Sequence, residues 1–376
     1  MARSEKMVAV SASRLKYARE YYGLSLSDVS KHTKIKEDEL KKFESAEDFP
    51  SYAKLEKLAE LYNRPLLYFF FCSEPAEEKL LVSFRSVESQ TGLTLNMQVR
   101  TMMEKADWYR LNLSELFPHD ARPCFVALLE QGKVKTEAGL ISWLRKELDL
   151  SLSKQKNNFS RADILLEYLR DKMFDIGIYI FKDSFKADDV SGLCLYDKDY
   201  PVILLNNKTT FTRQIFTIFH EVYHLFGRKE DVYYSKQGEE KACDRFASEF
   251  LVPEEDIRIR LQNIREFENV ELIESLAKEY TVSPAVIAYR LLSQGKISRS
   301  FYGTIHADGI RKMNSATSGG NFYYTRMSYL GRPYLRKVFF DYYAGKINVA
   351  AVGKYTGLKA SHISKLSSNM FGGVYG

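Results

Sequence analysis

The pentapeptide HEVYH, bounded by His220 and His224, constrains this chain more than any other part of its sequence. It lies inside the amphipathic run TRQIFTIFHEVYHLFG, which predicts a helix over about 211–227. Side chains four residues apart lie on the same face of a helix, so both imidazoles can bind one metal ion at ~2.0–2.1 Å. The alternative is a surface histidine pair beside an ordinary glutamate.

Further carboxylates complete a metal site around the two histidines. Glu221 is predicted to be the general base that takes a proton from a zinc-activated water. Catalytic zinc usually has three protein ligands and one open position. We expect Glu240, on a second predicted helix, to be the third ligand, with Glu239 and Glu249 as alternatives. Asp244 follows one helical turn later and can accept the outer N–H of a ligating histidine.

Short strands precede the histidine motif. Three runs rich in β-branched or aromatic residues, at 177–181, 192–197 and 201–207, are bounded by Gly, Asp, Pro and Asn. Helices are predicted before and after them, at about 161–174, 238–251, 254–265 and 270–294. This pattern predicts an α+β domain over 156–298.

The run FTRQIFTIFHEVYHLF, followed by EEKACDRFASEFLVP, resembles the ImmA/IrrE family of zinc metallopeptidases. Outside the histidine motif, the matching residues are Arg213, Phe216, Thr217, Glu240, Phe246, Ala247, Leu251 and Pro253. The chain departs from the family pattern at Tyr223 (often Gly), Cys243 (a small Ala) and Asp244 (Asn). The resemblance covers about 165–255. It implies a zincin-like peptidase domain that makes limited cuts in a repressor or regulatory protein, with zinc or manganese as the metal.

Residues 11–71 are predicted to form five short helices, the second capped by Ser25. The residues Gly23, Leu24, Ser25, Ile35, Leu40, Phe43 and Glu44 resemble, in type and spacing, the lambda-repressor-like (XRE) helix-turn-helix family. The resemblance implies a domain over 1–73 with a recognition helix at about 36–45 that contacts DNA.

DNA contact is predicted through residues 25–45, and the candidate side chains are Lys36, Glu39, Lys41 and Lys42. Two features oppose it. Leu26 stands where the family often has Gln, and the acidic side chains that begin the third helix would face a polyanion. Docking of a protein partner is therefore the alternative role for this domain.

The remaining segments have weaker patterns. Residues 74–155 are predicted to be a helical linker region, and the polar stretch 151–160 is predicted to be a loop. Residues 299–376 are predicted to be a C-terminal domain. Within it, residues 348–366 show helix-turn-helix spacing, with a plain helical hairpin as the alternative.

Length and composition set the wider expectations. A chain of 376 residues with 45% hydrophobic content predicts several domains, mainly α with a small β-sheet. The sequence has no run of ~18 apolar residues, so no membrane-spanning helix is predicted. Four scattered cysteines without a CxxC pair fit a reducing cytoplasm. A net charge of +6 permits nucleic-acid contact without requiring it, and helix-turn-helix proteins are often homodimers.

Three functions follow from these patterns. The first is a zinc metallo-endopeptidase directed to a repressor or regulator by the helix-turn-helix domain. The second is a DNA-binding transcriptional regulator whose zincin-like domain senses metal or ligand without proteolysis. The third is an interaction protein with two docking modules. Glu221 favours the first, because a sensor needs metal ligands but no general base.

Overall fold

A computed structural model describes the chain in eight stretches, residues 7–71, 82–86, 92–118, 125–132, 134–185, 190–227, 237–314 and 321–371. The chain divides into two compact units. The first unit comprises Met1–Lys79 and Glu88–Glu104, and the second comprises Leu80–Val87 and Lys105–Gly376. The prediction of a mainly α chain with a small sheet is confirmed. Within the described stretches, every helix is too short or too polar to cross a membrane.

The first unit begins with four α-helices and a 3₁₀ helix. They are α1 (Ala12–Tyr21), α2 (Leu26–Thr33), α3 (Glu37–Glu44), α4 (Tyr52–Leu61) and the 3₁₀ helix Leu66–Phe70. Ser25 caps α2 in a capping box, since its Oγ accepts from Asp28 N at 3.1 Å while Ser25 N donates to Asp28 Oδ2 at 3.0 Å. The apolar side chains that recur at helical spacing, among them Leu15, Val29 and Leu55, form its core.

A four-stranded sheet lies in the second unit. Its strands are β1 (Val82–Ser86), β2 (Tyr179–Asp183), β3 (Val190–Leu195) and β4 (Val202–Asn206), in the order β1-β3-β4-β2. Strands β2 and β4 are parallel, whereas β3 is antiparallel to both β1 and β4. The three predicted strands are therefore present, and they are almost wholly buried.

Strand β1 was not expected from the sequence. It lies inside the segment 74–155, for which we predicted a helical linker, and it pairs with β3 from Val82↔Leu195 to Ser86↔Val190. Without it, the outer edge of β3 would leave backbone N–H and C=O groups unpaired. The need to pair that edge, which no local pattern reveals, explains the difference.

Helices account for the rest of the described chain. Between β1 and β2 they are α5 (Gly92–Leu116), α6 (Phe125–Glu130), α7 (Glu137–Glu147), α8 (Leu152–Asn157) and α9 (Ala162–Asp175). After the sheet come α10 (Phe211–Gly227), α11 (Gln237–Leu251), α12 (Glu254–Arg260), α13 (Val270–Tyr280) and α14 (Pro284–Ser293). The C-terminal helices are α15 (Arg299–Asn314), α16 (Phe322–Leu330), α17 (Arg332–Tyr343), α18 (Val349–Thr356) and α19 (Ala360–Phe371).

The prediction of a loop at 151–160 is wrong, because α8 occupies most of these residues. Ser151 caps this helix by accepting a hydrogen bond from Lys154 N at 3.1 Å. Gln155 is fully buried, and its amide donates to the carbonyls of Leu251 (2.9 Å) and Tyr280 (2.8 Å). The polar residue that suggested a loop is thus a buried hydrogen-bonding residue, which satisfies the ends of two other helices.

Two further predicted elements differ in detail. The single helix predicted over 270–294 is two helices, since Thr281 adopts a left-handed conformation (φ 57°) and Pro284 starts α14. In the C-terminal region, α18 and α19 are joined at Gly357, also left-handed (φ 66°), as the predicted helix-turn-helix spacing requires.

Gly192 allows the helix that carries the histidines to approach the sheet. A Cβ at this position of β3 would lie 2.7 Å from Thr217 Cγ2 of α10 and 3.0 Å from the carbonyl oxygen of Leu204. We therefore expect Gly192→Ala to lower the free energy of unfolding by about 1–3 kcal/mol, measured by urea denaturation. The control is Gly303→Ala in α15, where an added Cβ meets nothing within 4 Å. Equal effects of the two substitutions would contradict this account.

An ionic cluster with two buried cations joins α9, β2 and α16. Glu167 accepts from Lys182 Nζ at 2.8 Å and from Arg170 Nη1 at 3.0 Å, and Arg170 also donates to the carbonyl of Ser328 at 2.6 Å. The side chain of Lys182 is only 1% exposed. Burial, with the nearby positive charge of Arg170, lowers the pKa of Lys182 to about 8.

This depressed pKa predicts a pH-dependent stability. An unfolded lysine keeps its proton up to a pKa near 10.5, whereas folded Lys182 loses it near 8, so the unfolded state binds more protons between these values. The free energy of unfolding should therefore rise between pH 7 and pH 10 by about 2 kcal/mol more in the wild type than in Lys182→Met. Urea denaturation of both proteins at each pH measures the difference. Parallel pH profiles would show that Lys182 titrates normally.

Candidate metal centre

The two motif histidines point into one site from consecutive turns of α10. Their Nε2 atoms are 3.2 Å apart. His220 is fully buried and the side chain of His224 is 9% exposed, because this face of α10 packs against α11 and the sheet. The helical spacing read from the sequence thus brings two imidazole nitrogens together in a buried site.

Glu240, near the start of α11, completes a triangle with them. Its Oε2 lies 3.0 Å from His220 Nε2, and its Oε1 lies 3.4 Å from His224 Nε2. Bonds of ~2.0–2.1 Å in a tetrahedral zinc site separate neighbouring ligand atoms by about 3.4 Å. The spacing and the donor types of these three side chains therefore fit a zinc ion.

Asp244 holds His220 from the other side of its ring. The distance from His220 Nδ1 to Asp244 Oδ1 is 2.9 Å. An ionised carboxylate can only accept, so Nδ1 carries the proton and donates it. The proton-free Nε2 then faces His224 and Glu240, which is the tautomer a metal ligand needs.

The predicted general base and the two alternative third ligands are found in different places. Glu221 is fully buried in α10, next to His220 in the chain. Glu249, an alternative third ligand, accepts a hydrogen bond from Arg290 Nη2 at 2.5 Å and another from Glu254 N at 3.1 Å, so it serves a different contact. The side chain of Glu239 lies outside the described residues.

Cys243 also reaches the site, although its sequence position predicted no role in metal binding. Its thiol is 2% exposed, and Sγ lies 3.4 Å from His224 Nε2. Cys243 follows Glu240 by three residues, so both lie on the same face of α11. That spacing was the available signal, but a single cysteine in an amphipathic helix also fits an ordinary core position.

Tyr223 forms part of the wall beside this site. Its ring stacks on Phe246 of α11, with ring centroids 4.8 Å apart, and its hydroxyl donates to Glu137 Oε2 of α7 at 3.4 Å. Arg245 donates to the same carboxylate oxygen at 3.1 Å. Tyr223, which stands where the family often has Gly, thus links α10 to α11 and α7.

Residues 175–292 match a peptidase family model, Peptidase_M78, described as the IrrE N-terminal-like domain. This stretch of the chain is similar to the IrrE N-terminal-like domain. It runs from the end of α9 through α14 and includes His220, His224 and Glu240. No curated protein and no solved structure gave a significant match. The ImmA/IrrE resemblance is confirmed for this domain, which makes a metallopeptidase-like activity its expected chemistry.

The IrrE N-terminal-like match does not reach the first unit, where the DNA-contact candidates lie. Lys36 is the N-cap of α3, and Lys41 and Lys42 are exposed in its last turn. Glu39 forms an ion pair with Lys54 of α4 at 2.6 Å. Lys54 therefore neutralises one of the acidic side chains in the first turn of α3. The acidic first turn also favours α3 itself, because negative charge stabilises a helix N-terminus. A role in DNA binding stays a prediction.

Proposed function

We propose that this protein is a zinc-dependent metallo-endopeptidase that makes limited cuts in a repressor or another regulatory protein. The observation that carries the proposal is the triangle of His220, His224 and Glu240, with atoms 3.0–3.4 Å apart, beside the buried Glu221. Two imidazoles and one carboxylate are a ligand set of hydrolytic zinc sites. The family match supports peptide-bond hydrolysis in preference to other zinc chemistry.

Each side chain has a role in this proposal. His220, His224 and Glu240 hold the metal, for which manganese is the second candidate. When bound at these residues, the metal would supply Lewis-acid polarisation of a substrate carbonyl and a lowered pKa, about 7, for the attacking water. Glu221 accepts a proton from the attacking water and returns it to the departing amine. Asp244 keeps the His220 proton on Nδ1 and so fixes the orientation of that ring.

The first unit would select the target. An XRE-like helix-turn-helix domain can bring the peptidase to a DNA-bound repressor, or it can dock the repressor directly through protein contacts. The alternative function is a DNA-binding transcriptional regulator whose metal domain senses metal or ligand without cleavage. A buried carboxylate immediately after the first histidine favours the peptidase, because sensing needs no general base.

The test is cleavage of purified repressor-like proteins from the same host by the zinc-loaded chain. Mass spectrometry detects new chain termini, and Glu221→Gln serves as the inactive comparison. Discrete new termini that appear with the wild type alone support the proposal. Full zinc occupancy of both proteins without any new terminus would instead support the regulator.

A further inference from the structure

We propose that Cys243 is a fourth protein ligand of the metal and that the resting site is therefore closed. This inference rests on the proposed zinc site, which it deepens by assigning a regulatory ligand. The ligand atoms of His220, His224 and Cys243 all lie within 4.8 Å of one another. Three donor atoms this close within a buried site match the arrangement around one ion.

The distances suit a thiolate. In a tetrahedral site, a sulfur at about 2.3 Å and a nitrogen at ~2.0–2.1 Å from zinc lie about 3.5 Å apart. Cys243 Sγ is 3.4 Å from His224 Nε2. A sulfur ligand thus fits beside the imidazole at the separation that zinc would impose.

The helix that supplies Glu240 also supplies Cys243. Positions three residues apart on α11 lie on one face, and this face meets the histidine face of α10. Cys243 forms a cluster with both imidazoles, and Glu240 separately contacts both imidazoles at 3.0 and 3.4 Å. The proposed four-coordinate site therefore takes two ligands from each helix, with the two histidines shared by both sets of contacts. Thiolates are also strong zinc ligands, because zinc is a borderline-soft cation.

The surroundings of Cys243 differ from those of the other described thiol. Cys194 is equally buried, at 2% exposure, but it belongs to β3 and packs in the hydrophobic core. Cys243 instead has an imidazole nitrogen within 3.4 Å. The two cysteines therefore form a matched pair, one at the metal site and one away from it.

Four protein ligands have a functional consequence. A catalytic zinc keeps one position open for water or substrate, whereas a structural zinc is closed by its fourth ligand. With Cys243 bound, the peptidase is latent, and the thiolate has to leave the metal before a substrate carbonyl can approach.

X-ray absorption spectroscopy of the zinc-loaded full-length protein tests the assignment without measuring activity. We expect one sulfur at about 2.3 Å in the wild type, together with nitrogen and oxygen neighbours at ~2.0–2.1 Å. The sulfur shell should disappear in Cys243→Ala and remain in Cys194→Ala. Cobalt substitution gives a second readout, since a thiolate-to-cobalt charge-transfer band should be present in the wild type and absent in Cys243→Ala alone.

The outcomes separate this inference from the proposed function. Zinc bound at one equivalent with only nitrogen and oxygen neighbours would overturn the Cys243 assignment and leave the three-ligand site intact. A protein that binds no zinc would overturn both. A sulfur shell that survives in Cys243→Ala would also overturn the assignment, because the sulfur would then come from another residue.

Discussion

Replacing Glu221 by Gln is expected to abolish peptide cleavage while leaving one zinc bound per chain. Glutamine has nearly the same shape, so the packing around this fully buried position in α10 is kept. It cannot accept and return a proton as a carboxylate does. General-base catalysis contributes ~10²–10⁴-fold to hydrolytic rates, and we expect a loss of at least that size. Initial rates of cleavage, with zinc measured by elemental analysis on the same samples, check both parts of the prediction.

A second Glu→Gln variant controls for the change of charge. Glu255 is exposed on α12, and Glu255→Gln should cleave like the wild type. Wild-type cleavage rates in Glu221→Gln would show that another group is the base. Loss of zinc from Glu221→Gln would mean that the substitution disturbs the ligands themselves, and the kinetic result would then have to be discarded.

Removing a ligand is expected to empty the site. His220→Ala deletes one imidazole donor, and Glu240→Ala deletes the carboxylate that contacts both histidines. Asp244→Ala should be milder, because loss of a hydrogen bond behind a ligating histidine typically lowers metal affinity by ~10–100-fold. Competition titrations with a fluorescent zinc chelator should therefore rank Asp244→Ala between the wild type and both ligand variants.

The matched control for the histidine is His32→Ala. His32 is exposed on α2 of the first unit, and its substitution should leave zinc affinity unchanged. Stoichiometric zinc in His220→Ala, with wild-type affinity, would mean that the metal binds elsewhere. An Asp244→Ala variant as defective as His220→Ala would instead make Asp244 a direct ligand.

Features that depend only on the geometry of neighbouring residues could be predicted from the sequence. His220 and His224 face the same way because a helix repeats every 3.6 residues, and this holds before any tertiary contact forms. The cap at Ser25 follows in the same way from the spacing of Ser25 and Asp28. Both could be predicted from neighbouring residues alone.

Other features depend on contacts between distant segments. Gln155 reads as a loop residue until the carbonyls of Leu251 and Tyr280 are brought to it. Strand β1 exists because β3 offers it an edge. Cys243 becomes a candidate ligand only when α11 docks against α10, since its own helix shows merely that it shares a face with Glu240. Local pattern carries no information on such pairings.

The hydrogen bonds at the end of α11 bear on how tightly the site holds its ion. Arg145 and Gln155 donate to the carbonyls of Phe250 and Leu251, about ten residues and ~15 Å beyond Glu240. The far end of α11 is thus immobilised by folding, whether or not a metal is bound. Glu240 therefore lies on a helix that is already fixed at its other end, so little conformational entropy is lost when the ion binds. Preorganisation of this kind raises metal affinity without adding a single ligand.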